Sequence, residues 1–235
     1  HDSIKEANRW CELKLLERAG KISNTKRQVK YELLPKQDGE RPVYYIADFE
    51  YIENGKKVVV VDCGVKHSII RSLINRGAEV IRVPFDYDFT ALEYDGVYVS
   101  NGPGCPCACE KTIENIKKAF ESGKPVFGLG LGYLLVAKAA GCELEKLKRP
   151  HRSANQPVRK EGSNRTYITA QNVAATVKPN SIPAEWDAYY VNLNDGAVDG
   201  IKHKTKPFAG TQFNPEVCVG LNENVTLIDE FISKL

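Results

Sequence analysis

Reactive side chains are concentrated in two stretches of this sequence. Cys105, Cys107 and Cys109 occupy alternate positions directly after Gly102-Pro103-Gly104, in a chain with seven cysteines. Such thiols can stay free, pair, or bind a soft cation such as zinc, but the usual Cys-x-x-Cys ligand spacing is absent and no metal is expected. The odd count leaves at least one thiol unpaired within the chain. Cys11 and Cys142 form a further candidate pair, and Cys63, at the end of an apolar run, reads as inert packing. His67, His151 and His203 read as surface or loop residues.

The second stretch is Lys124-Pro125-Val126-Phe127-Gly128-Leu129-Gly130-Leu131-Gly132-Tyr133-Leu134-Leu135. An apolar run turns through glycines into a Leu- and Ala-rich helix, the pattern of a strained strand-to-helix turn that lifts a nucleophile above a sheet. The apex is Gly130, which has no side chain to present. Tyr133 beside it either fills the space a nucleophile and substrate would take or is an ordinary core aromatic.

These stretches need a scaffold to position them. Val58–Val61 reads as a strand buried on both faces, followed by a helix over 66–76 closed by Gly77. Strands over 79–83, 96–99 and 125–129 alternate with a helix over 111–122 that Gly123 ends. Short alternating segments at 166–170, 188–191, 200–203 and 208–212 predict antiparallel strands before a closing helix over 225–235. Ahead of them, 1–20 reads as an amphipathic helix, capped by Ser3 with Glu6 and ended by Gly20. Residues 21–56 read as polar and irregular with a strand near 43–46. The expected fold is α/β: an open, mainly parallel sheet flanked by helices, with an antiparallel extension. The expected division is a helical and irregular appendage at 1–56 and a main domain at 57–235.

A net charge of +3 without a basic run gives no reason to expect nucleic acid as a partner, and no apolar segment approaches the ~20 residues of a membrane helix. The sequence has no Met and begins at His1, as a processed precursor or an excised piece would. Two sequons, at Asn164 and Asn224, are candidate glycosylation sites and point to an extracellular protein; a mitochondrial or cytoplasmic location is the alternative.

Six stretches occur in order: Val61-Asp62-Cys63-Gly64-Val65-Lys66, Ser100-Asn101-Gly102-Pro103-Gly104, Gly128-x-x-Leu131-Gly132, Asn155-Gln156-Pro157-Val158, Ile168-Thr169-Ala170-Gln171-Asn172 and Gln212-x-x-Pro215-Glu216. Together they resemble the class I glutamine amidotransferase domain of carbamoyl-phosphate synthetase small subunits, over about residues 57–235 and with a flavodoxin-like fold. The resemblance implies a Cys nucleophile at the elbow, a His base and a Glu that orients it. Here those positions carry Gly130, Asn214 and Glu216. Of the implied ligand-binding positions, Gly102, Gly104, Leu131 and Asn172 remain. Val173-Ala174-Ala175 replaces the expected His-Gly-aromatic stretch, and Tyr133-Leu134 replaces His-Gln.

The resemblance also brings the loops of Cys105 and Cys218 together over the elbow, which makes a disulfide from Cys105 or Cys107 to Cys218 a candidate. The expected function is a non-catalytic, secreted relative of this domain with a binding or structural role and no cofactor. Its partner would be an unknown protein or small molecule. One alternative is a regulatory or scaffold domain of an ammonia-dependent carbamoyl-phosphate synthetase. Another is an amidohydrolase with a relocated nucleophile.

Overall fold

The computed structural model describes residues 4–20, 22–34, 43–53, 55–214 and 226–235. Its contacts divide the chain into two units, His1–Gly55 and Lys56–Leu235. In the first, helix α1 (Ile4–Arg18) ends where Gly20 takes a φ of +70° and bonds back to Glu17 O. Of the expected apolar stripe, Leu13 is buried and Trp10 half-buried, while Ala7 and Cys11 face solvent.

Strands β1 (Ile22–Leu34) and β2 (Val43–Glu53) pair antiparallel, with Lys30 opposite Ile46. The expected irregular segment is therefore a long hairpin. Charged and polar residues interrupt the apolar alternation that would have marked β1, so its register with β2, not a period-2 pattern, identifies it as a strand. Trp10 stacks on Phe49, and Lys14 lies over the Trp10 ring at 4.7 Å.

In the second unit, β3 (Lys56–Asp62) leads through α2 (His67–Ile74) to β4 (Ala78–Pro84). Then follow β5 (Gly96–Val99), α3 (Glu110–Glu121), β6 (Val126–Leu129) and α4 (Leu131–Ala140). Val58–Val61 is wholly buried. Val59 and Val61 join a core with Ile116 and Leu135, and Val58 and Val60 join another with Ile69, Leu73 and Ile228. Burial on both faces is what an unbroken valine run requires, and each such side chain contributes about 1.5–3 kcal/mol.

The remaining elements are β7 (Leu144–Lys160), β8 (Thr166–Val177), β9 (Trp186–Asn192), β10 (Val198–His203), β11 (Phe208–Thr211) and α5 (Thr226–Ile232). Strand order is β4-β3-β5-β6-β11-β10-β8-β7-β9, with β9 also pairing β10. The first five strands pair in parallel, including β11, which the sequence pattern placed in the antiparallel part. The other four, β7 to β10, form the expected antiparallel part but pair in a ring, so the sheet as a whole is not the open, mainly parallel one expected. The cause is β7, a strand of 17 residues bulged between Lys146 and His151 and between Ser153 and Gln156. Bulges bend a strand and raise its twist, which lets it reach both β8 and β9.

The elbow rests on contacts between backbones. A Cβ on Gly132 would lie 2.2 Å from Val99 O, and one on Gly128 would lie 2.5 Å from Gly132 O. The first turn of α4 therefore sits against β5 and β6 with no side chain between them. Gly132→Ala is expected to cost about 3 kcal/mol or more in unfolding free energy, read by chemical denaturation. An unchanged midpoint would contradict this packing.

Candidate functional site

The C-terminal ends of β3, β5 and β6 open onto a cleft of about 870 Å³. Gly130 stands at its floor with φ +57° and ψ −112°, a conformation open to glycine and strained for other residues. Its N–H donates to Thr211 O at 2.9 Å, and its carbonyl accepts from Leu134 N at 3.3 Å. A Cβ at this position would come within 3.0 Å of Asn101 Cβ. The turn thus keeps the geometry that exposes a side chain while its neighbours crowd the place where one would begin.

Six residues singled out in the sequence come together here: Gly102, Gly104, Gly130, Leu131, Asn172 and Asn214 all line the cleft. Lys66 and Arg152 line it too, and among the described lining residues there is no carboxylate, cysteine or histidine. Among the described residues, Asn101 Oδ1 and Gln212 Oε1 meet no hydrogen-bond partner. The cleft therefore offers cations, amide groups and the Ser153 hydroxyl, and its described lining carries neither the thiol nor the imidazole that the resemblance calls for. Glu216, Cys218 and Asn224 lie outside the described residues.

Tyr133 is the core aromatic, not a cleft filler: it is fully buried and its hydroxyl donates to Val198 O at 2.9 Å. Cys63 is half-buried with its thiol pushed up to about 12, chiefly by burial, as inert packing requires. Among the described residues no disulfide is present. Cys11 and Cys142 are free thiols, the first solvent-exposed and the second packed in a core where burial raises it to about 11. Cys105 and Cys107 are also free and exposed, and their candidate partner Cys218 lies outside the described residues. Asn164 is exposed in the turn between β7 and β8.

Sequence reasoning missed the polar network behind the cleft. His151, read as a surface residue, is buried because the bulge after Lys146 resets the register of β7. Its Nδ1 meets Gln171 Oε1 at 2.9 Å and its Nε2 meets Asp195 Oδ2 at 2.8 Å. The Gln171 amide nitrogen donates to Asp199 Oδ2 at 2.6 Å and to Thr169 Oγ1 at 3.2 Å, which leaves its oxygen as acceptor. Both His151 nitrogens thus have an acceptor in reach, with Asn192 Nδ2 also 3.4 Å from Nδ1, an arrangement that favours the imidazolium. Burial opposes that charge, but the bonds to Asp195 and Gln171 outweigh it and raise the His151 pKa. Asp199, beneath, is raised to about 6 by burial, against the bonds from Gln171 and Asn192. The sequence signal was available in Asn192-x-Asn194-Asp195 and Asp199, polar residues closely spaced beside short apolar strands.

A family model described as glutamine amidotransferase class-I matches residues 59–234. The chain belongs to the class I glutamine amidotransferase family. A second model, described as a protein of unknown function (DUF1064), matches residues 1–95. The human protein named carbamoyl-phosphate synthase (ammonia), mitochondrial, is 43% identical over 182 residues, 77% of this chain and 12% of that protein. Multifunctional protein CAD of Squalus acanthias is 44% identical over 178 residues, 75% of this chain and 8% of its own length. A carbamoyl phosphate synthase arginine-specific small chain of Neosartorya fischeri is 41% identical over 181 residues, 76% of this chain and 40% of that one. The chain therefore spans less than half the length of each of these relatives.

Among solved structures, a putative GMP synthase component from Thermoplasma acidophilum superposes with a TM-score of 0.66 at 23% identity. That match covers 77% of this chain and 94% of the other, and supports the family's α/β fold.

The network sets a pH dependence. A raised His151 pKa contributes stability that is complete below its ordinary value of 6.5 and is lost as pH rises through the raised folded value. Asp199 acts in the same direction, its protonated form being favoured until pH passes about 6. His151→Gln is expected to cost about 2 kcal/mol at pH 6, and the difference from wild type should shrink as pH rises to about 8.5. Thermal melts of both proteins across this range check it; a constant or growing difference would contradict the imidazolium.

Proposed function

We propose that this chain is a non-catalytic glutamine amidotransferase domain that serves a carbamoyl-phosphate synthase using ammonia instead of glutamine. The observation that carries the reading is Gly130 at the apex of an elbow whose backbone is otherwise complete. A glycine cannot form a thioester, and Asn214 has no basicity to offer at the cleft. With nucleophile and base both absent, covalent catalysis is removed and not merely slowed. A relocated nucleophile gains no support from the cleft, whose described lining holds neither cysteine nor histidine.

The sequence similarity to synthases, one of them named for ammonia, favours a role alongside a synthase as a structural or regulatory domain. The six described cysteines that remain free thiols suit a reducing compartment, so we place the domain inside the cell. The secreted reading draws on Asn164, whose exposed turn has room for a glycan. Intact mass before and after glycosidase separates the two: the intracellular reading expects no change, and a lost glycan mass would overturn it.

For the chemistry, purified protein incubated with glutamine is expected to release ammonia no faster than buffer alone. Release that a thiol-alkylating reagent abolishes would contradict the reading.

A further inference from the structure

Beside the cleft floor, the chain makes a tight turn at Pro106–Ala108. Pro106 lines the cleft, while Cys105 and Cys107 on either side of it face solvent as free thiols. The turn brings the Cys107 N–H to Cys105 Sγ at 3.4 Å, and the Cys109 thiol points at Cys105 O at 4.0 Å. We propose that Cys105 and Cys107 are a redox-active dithiol that exchanges with small disulfides at the rim of the cleft.

The two sulfurs are not equivalent. Hydrogen bonds from the Cys107 backbone and side chain lower the Cys105 pKa, with Lys138 and Lys146 adding to the effect. Cys107 is raised, first by its hydrogen bond to Cys105 and then by the neighbouring negative charge. Cys105 is therefore the attacking thiolate and Cys107 the proton-holding partner that resolves it. Cys109 is raised by burial, and Cys63 lies in packing, so neither competes.

With oxidised glutathione as the oxidant, Cys105 S⁻ attacks one sulfur, forming a mixed disulfide and expelling one glutathione thiolate. Cys107 then loses its proton to solvent and attacks Cys105 Sγ. The mixed disulfide breaks and the second glutathione leaves as thiolate. Two protein thiols are oxidised to one disulfide and one oxidised glutathione is reduced to two thiols. A bridge across a single intervening proline is a small, strained ring, and strained, exposed disulfides are the readily reduced ones. The pair is thus suited to cycling, not to permanent cross-linking.

Full-length protein is treated with oxidised glutathione at about pH 7, quenched by alkylation and mapped by mass. The expected result is a Cys105–Cys107 bridge marked by the loss of two hydrogens and reversed by reduced glutathione. Cys107→Ser should instead retain glutathione on Cys105, and Cys105→Ser should retain none on Cys107 or Cys109. Cys11, exposed on α1, is the internal reference, and Cys105 should be alkylated at least about tenfold faster. The proposal is overturned if Cys11 reacts as fast as Cys105, if Cys107→Ser fails to trap glutathione there, or if the bridge joins Cys109. Both variants change exposed side chains, and equal melting temperatures with wild type establish that they fold.

Discussion

The site depends on how closely helix α4 approaches the strands beneath it. Gly128 and Gly132 let peptide groups touch where any side chain would force them apart, and Gly210 on β11 also lies close to Gly128 O. These contacts fix the entry into α4 without help from the side chain at 130. An elbow held in this way keeps its shape whether its apex carries a nucleophile or a hydrogen atom. Scaffold and reactivity are physically separable here, and that is why a family fold can coexist with a floor of amides and cations.

The far wall of the cleft obeys a different constraint. Gln171 faces the cleft and also ties His151 to Asp199, so one amide joins the wall to a buried imidazole whose other nitrogen meets Asp195. Buried charge is tolerated only when paired and hydrogen-bonded, and each member of this set meets that condition through another. The network spans β7, β8 and β10, the strands that turn the sheet back on itself. Its raised His151 and Asp199 pKa values make this half of the unit sensitive to pH.

Where the sequence pattern is periodic and apolar, it was legible. Val58–Val61, the helices closed by Gly77 and Gly123, and the glycine-flanked elbow all announce their structure locally, because burial on two faces or a positive φ demands those residue types. The ordered motifs likewise located Gly102, Leu131, Asn172 and Asn214 in one cleft. The β1–β2 hairpin was hidden because charged and polar residues break the alternation that would have marked its strands. Strand β7 was hidden because Pro150 and Pro157 lie within it, and proline argues against a strand unless bulges and edges are already known. His151 followed from that miss, since only the register of β7 reveals which way it faces. The parallel placement of β11 depends on pairing with β6, a contact between segments far apart in the chain that no local pattern encodes.

We propose, above all, that no residue lining the cleft forms a covalent intermediate with glutamine. The most direct test uses a glutamine analogue carrying an electrophilic ketone, followed by intact mass and peptide mapping with and without excess glutamine. The account predicts no adduct on any residue lining the cleft and no labelling that glutamine protects. A single stoichiometric adduct that maps to the cleft and disappears when glutamine is present would contradict it.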